Sequence, residues 1–202
     1  MLLPALLLAA TPAPAPDAAA LISRLKRPVP ASTAYTEVRF AHQLTRPLIL
    51  HGELDYGGAD KLGKRVDAPY RETTQVSGDA VTVTRENRPP KRFDLQRAPE
   101  LKVLMGGFSA LLGGDAAALQ SLYTVSLVDN APNWTLTLVP RDAALAKQLR
   151  EFVIDGTDAE PRCFTLRQSN GDSSTMLLGA LASTPLPAPP APASLAAICR
   201  AP

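Results

Sequence analysis

From residue 35 onward the chain alternates apolar and polar side chains with a period of two. In YTEVRFAHQL (35–44), Thr36, Val38, Phe40, His42 and Leu44 fall on one face and Tyr35, Glu37, Arg39 and Ala41 on the other, the pattern of a half-buried strand. PLILHGELDYGG (47–58) repeats it, with Leu48, Leu50, Leu54 and Tyr56 opposite His51, Glu53 and Asp55 before a Gly57-Gly58 turn. YRETTQVS, AVTVTRE and KRFDLQR follow, separated by SGD and NRPP. Connections this short join antiparallel neighbours. Past residue 122 strands return as YTVSLVD, NWTLTLVP (Trp134, Leu136 and Leu138 on one face), REFVIDG, PRCFTLRQ and SSTMLLG, the last two around an Asn170-Gly171 turn. The pattern predicts a mainly β (α+β) protein, one antiparallel sheet of about nine to eleven strands, and a sheet of that length curls. Its apolar face then lines the inside of the curl.

Three segments break the two-residue period. DAAALISRLKRP (17–28) places Leu21, Ile22 and Leu25 on one helical face, with Asp17 as N-cap and Pro28 ending the helix. DAAALQSLY predicts another short helix, and RDAALAKQLR a short helix or an irregular crossover. The most apolar stretch is PELKVLMGGFSALLGGD (99–115), where Leu101, Leu104, Met105, Phe108, Leu111 and Leu112 recur at spacings of three and four and Val103 lies off that face. Pro99 and Glu100 suit a first turn. Six large apolar side chains left in water would forgo on the order of 10 kcal/mol, so this helix must be covered, and the concave side of the curl is the place for it. Gly106 and Gly107 each cost up to about 1 kcal/mol relative to Ala inside a helix. Two readings follow: a loosely specified, mobile lid over an apolar cavity, or a plug completing a solid core.

The termini differ from this middle. MLLPALLLAATPAPAP carries a short apolar run from Leu2 to Ala10 followed by small residues and Pro, the outline of an export signal over residues 1–16. A domain over 17–182 follows, and STPLPAPPAPA opens a Pro/Ala-rich tail (183–202) that reads as an extended spacer. Two Cys, Cys163 and Cys199, permit one disulfide in an oxidising compartment, or stand as one buried thiol and one thiol on the tail. A net charge of +2 from intermixed residues of both signs leaves no electrostatic footprint for nucleic acid.

Enzyme chemistry finds no purchase. His51 shares a strand face with Glu53 and Asp55, and His42 lies on the neighbouring strand, but exposed polar strand positions account for that pattern as well as a metal site does. GGFSALLGG is not a nucleophile elbow, because Leu111 stands where Gly is required.

The order of these segments carries a resemblance. An N-terminal helix leading into YTEVRF, then GELDYGGADKLGKRVDAPYRETTQVSGDAVTV, APELKVLMGGFSALLGGD and WTLTLVPRDAALAKQLREFVIDG, resembles the bacterial outer-membrane lipoprotein carrier family (LolA-type), and in particular its divergent LolA-related members. The resemblance implies an unclosed, strongly curved antiparallel β-barrel with a helical lid. It implies a monomeric periplasmic carrier, without cofactor, that takes acylated lipoprotein or another amphiphilic lipid from an inner-membrane donor transporter to an outer-membrane acceptor. On that basis Leu101, Leu104, Met105, Phe108, Leu111 and Leu112 would form the lid contacts, and Val38, Phe40, Leu50, Leu54, Trp134, Leu136 and Leu138 the cavity wall. Where the family shows Arg-Pro soon after its Gly-x-Leu strand, with the Arg implicated in holding the lid, this chain has Gly58-Ala59. Members of the wider group are associated with other amphiphiles, such as acylated aryl polyene pigments or glycolipids. A packed envelope interaction or scaffold module is the remaining alternative.

Overall fold

The structure is a computed structural model describing residues 17–201. The export signal expected over residues 1–16 lies outside the described residues.

Eleven strands form a single antiparallel sheet. The first meander comprises β1 (Ala31–Phe40), β2 (Leu48–Gly58), β3 (Lys61–Ala68), β4 (Glu72–Ser77), β5 (Ala80–Arg85) and β6 (Lys91–Asp94). The second comprises β7 (Tyr123–Asn130), β8 (Asn133–Pro140), β9 (Leu149–Thr157), β10 (Glu160–Gln168) and β11 (Ser173–Leu178). They join through β1 and β11, giving the order β6-β5-β4-β3-β2-β1-β11-β10-β9-β8-β7. β6 and β7 are therefore the two free edges, and the barrel is unclosed.

Helix α1 (Ala18–Arg24) starts as its sequence dictates, the Asp17 carboxylate accepting from the N–H groups of Ala19 and Ala20. The chain that links the two edges, from β6 to β7, holds a 3-10 turn (Leu95–Arg97), α2 (Pro99–Gly113) and α3 (Ala116–Leu122). α2 runs unbroken through its glycine pair and ends on Gly114, whose φ of 71° forms a left-handed cap. The short α4 (Ala143–Ala146) lies between β8 and β9, capped by Asp142.

Register carries the two-residue period across the whole sheet, because cross-strand partners share a face. Tyr35 pairs with Leu178, Leu136 with Ile154 and Ile154 with Phe164, all on the concave side. The main core lies there, where Leu21, Ile22 and Leu25 of the α1 region and Leu119 of α3 pack onto Tyr123, Leu136, Leu138, Phe152 and Ile154.

β1 departs from the expected orientation. Over residues 35–40 its two faces were read correctly, the strand ending at Phe40 before His42 and Leu44, but Tyr35 and Glu37 point to the concave side, while Val38 packs on the convex side with Cys163, Leu177, Leu195 and Cys199, and Phe40 lies against that cluster. The reason is the tail. It forms helix α5 (Pro192–Arg200) on the convex face, joined to β10 by the Cys163–Cys199 disulfide. Residues 192–200 are thus not a spacer; Leu195 and Cys199 are buried, and Arg200 Nε donates to the buried Asp155 carboxylate at 2.9 Å. Both faces of β1 are covered.

Candidate functional site

Under α2, between the helix and the first meander, lies a cavity of about 540 Å³, within the roughly 300–1,000 Å³ of small-molecule sites. Five of the six expected lid residues line it: Leu101, Leu104, Met105, Phe108 and Leu112. Leu111 does not. It is fully buried in the main core, because six residues at spacings of three and four cover more of a helix than one cavity can meet.

Of the seven expected wall residues, Leu54 lines the cavity. Leu50, Trp134, Leu136 and Leu138 share the concave face but belong to the packed core. The half of the curl containing β7, β8 and β9 is filled by α1, α3 and the aromatic cluster of Phe108, Phe152 and Phe164, with Phe108 centroids 4.8 and 5.8 Å from the other two. Val38 and Phe40 are corrected to the convex face beneath α5. The wall is built instead by Leu62, Val76, Val81 and Phe93 on β3 to β6, and by Phe164, Leu166, Met176 and Leu178 on β10 and β11. Leu62, Val76, Val81 and Phe93 fall in the register row of Tyr56, and Leu178, Met176 and Phe164 in rows that run through Tyr35 and Glu37, which alternation shows only once the pairing is known.

The glycine pair has a packing role. A Cβ on Gly107 would stand 2.6 Å from Tyr123 Cε2, whereas one on Gly106 would meet only Leu122 Cδ1 at 3.3 Å. Gly107 is where α2 closes on β7. Polar contacts fix the rest of the helix: Lys102 pairs with Asp79 at 2.9 Å, Gln148 donates to Glu100 at 3.3 Å, and the Arg27 N–H donates to the Leu112 carbonyl at 2.8 Å. These contacts tie α2 to the β4–β5 turn, to Gln148 and to the segment after α1.

One charged cluster interrupts the concave surface. Glu37 is 2% exposed and accepts from Arg39 Nε at 2.8 Å, from Arg39 Nη2 at 3.2 Å and from Lys64 Nζ. Burial pushes the Glu37 carboxyl upward, but the Arg39 hydrogen bonds and the Lys64 charge outweigh it and hold it below the usual carboxylate range. For Lys64 burial wins over Glu37, and its ammonium is lowered. Lys64 lines the cavity, with Nζ 5.0 Å from the Tyr35 ring centroid. Tyr35 donates to the Arg65 carbonyl at 3.0 Å, and desolvation pushes its phenol up. Arg27 lies on the rim, paired with Glu160 at 2.8 Å.

His51 Nδ1 lies 2.8 Å from Thr36 Oγ1, and His42 pairs with Asp172. Among the described residues no group of three or more His, Cys, Asp or Glu is placed to hold a metal ion, and no helix is long and apolar enough to cross a membrane.

An unclosed antiparallel sheet whose edges are joined by a helical segment lying over an apolar cavity is the LolA-like fold, which suggests a carrier-type role. The family model for outer membrane lipoprotein carrier protein LolA-like matches residues 9–201, and the chain belongs to that family. Among solved structures it is similar to a LolA superfamily protein from Nitrosomonas europaea (12% identity, 84% of this chain and 93% of that one, TM-score 0.41). It is similar as well to a putative outer membrane lipoprotein-sorting protein domain from Vibrio parahaemolyticus (9%, 79% and 88%, TM-score 0.42) and to LprF from Mycobacterium bovis (11%, 89% and 98%, TM-score 0.39). No curated protein matches the chain.

Proposed function

We propose that the protein is a periplasmic, monomeric carrier that binds the acyl chains of a lipoprotein, or a comparable amphiphile, beneath α2 and moves them between an inner-membrane donor and an outer-membrane acceptor. The observation that supports this reading is the cavity itself. A packed scaffold module has no use for about 540 Å³ of space lined by Leu, Val, Phe and Met side chains. Ten buried methylenes at about 0.8 kcal/mol each give ~8 kcal/mol, a micromolar affinity before association costs. Binding of that strength is reversible, so release needs a competing acceptor and no chemistry. A non-lipoprotein cargo, such as a pigment ester or glycolipid, is the second reading, motivated by Gly58-Ala59 at the place where the family resemblance expects a lid-holding Arg.

The test is native mass spectrometry of protein purified gently from its own periplasm, followed by solvent extraction. A co-purifying lipopeptide supports lipoprotein carriage, and a pigment ester or glycolipid supports the variant cargo. A ligand-free mass together with no binding of fluorescent fatty acids overturns the carrier reading.

A further inference from the structure

The charged cluster on the cavity wall is unbalanced. Two cations, Arg39 and Lys64, share the single carboxylate of Glu37, whose two oxygens are both already engaged. Arg39 is 40% exposed and disposes of its charge toward solvent; Lys64 is 23% exposed and lines the cavity. An ammonium has three donors, and one of those on Lys64 goes to Glu37. Its remaining surroundings are the Tyr35 ring, the in-register neighbours Leu54 and Thr74, and the more distant charges of Arg39 and Glu72. The other charges on the lining do not answer it: Arg27 and Glu160 pair with each other, and Asp55 alternates to the convex side opposite Gly63.

Resting on the carrier reading, we infer that the cavity takes an amphiphile with an anionic headgroup, a carboxylate or a phosphate, that meets Lys64 Nζ while the chain lies against Leu54, Phe108 and Met176. An anion there completes a charge that burial leaves under-compensated. A neutral ester finds the same apolar wall but nothing for the ammonium, so the headgroup decides which chains are retained.

The experiment is displacement of the uncharged probe N-phenyl-1-naphthylamine from the full chain by palmitate, by palmitoyl lysophosphatidate and by methyl palmitate, at low salt. The wild type is expected to bind at least one of the two anions about tenfold or more tighter than the methyl ester, and the favoured anion assigns the headgroup. Lys64→Gln, whose amide still donates to Glu37, is expected to bring the ratio of anion to methyl ester affinity close to one, and Lys64→Arg to restore it. Equal wild-type affinities for anions and ester overturn the inference and leave the carrier reading standing, and so does a preference that survives in Lys64→Gln. If neither the probe nor any of the three ligands binds, the carrier reading falls too. Where Lys64→Gln fails to fold, Lys64→Met reads the same ratio, and equal wild-type affinities overturn the inference in either case.

Discussion

Gly106 and Gly107 are adjacent in α2, yet alanine should act on them with opposite sign. Each gains up to about 1 kcal/mol of helix propensity on replacement. At Gly106 the new methyl group meets one Leu122 methyl at 3.3 Å, the mobile end of a side chain, so most of that gain should survive. At Gly107 it falls 2.6 Å from Tyr123 Cε2 and 2.9 Å from its hydroxyl. Tyr123 is fully buried and cannot swing away. Overpacking of this kind costs about 1–3 kcal/mol, which leaves Gly107→Ala destabilised by roughly 0–2 kcal/mol after the propensity gain. The two variants should therefore differ by about 2 kcal/mol, which for a domain of this size is roughly 4–8 °C in Tm. Calorimetry or thermal circular dichroism of both variants reads that difference directly. If the glycines served only to loosen a lid, both substitutions would stabilise alike, and a Gly107→Ala protein as stable as Gly106→Ala would refute the packing argument.

Removing the disulfide with Cys163→Ala and Cys199→Ala opens a loop spanning a sequence separation of 36; loop-closure entropy sets the loss near ~4 kcal/mol, and urea titration giving less than about 1 kcal/mol would contradict a strap that matters to stability. Glu37, its carboxyl held below the usual carboxylate range, contributes stability that is full above that range and lost as pH falls through the folded pKa. Glu37→Gln should flatten this limb in urea midpoints measured from pH 7 to 3, and an unchanged slope would count against the cluster. Leu104→Asp sets a carboxylate on the cavity surface that stays hydrated when empty and must lose water when a chain enters; binding of a fluorescent fatty acid should weaken at least tenfold, and an undiminished affinity would place the chain elsewhere.

The strands, their faces and the helix over residues 99–113 were legible because period two and period 3.6 are local properties of the chain. Which face is inside was not always legible. Along most of the sheet only one face is apolar, so the choice makes itself. In β1 Val38 and Phe40 look as core-like as Tyr35, and α5 covers them from the far side. Residues 192–200 hid that partner behind Pro and Ala, though Leu195, Ile198 and Cys199 stand at helical spacing. The cavity was legible as a need, a helix too apolar to stand in water. Its location was not, because whether Leu50, Trp134, Leu136 and Leu138 meet empty space or other side chains depends on what α1, α3 and Phe108 fill. Lys64 was not legible as part of the cavity for a related reason: the basic residues of KLGKR look like a solvated rim until register sets Lys64 beside Glu37 and Tyr35.

The convex covering by α5 has a mechanical consequence. β1, β9, β10 and β11 lie between material on both sides, whereas β3 to β6 have α2 on one side and, among the described residues, no helix on the other. The part of the cavity wall built by β3 to β6 is thus a single sheet thick, ending at a free edge whose four residues are all exposed. Such a wall has far greater compliance than the half braced by the disulfide. A chain too bulky for the resting volume would be accommodated by outward bowing of β3 to β6, with the braced half acting as the fixed jaw.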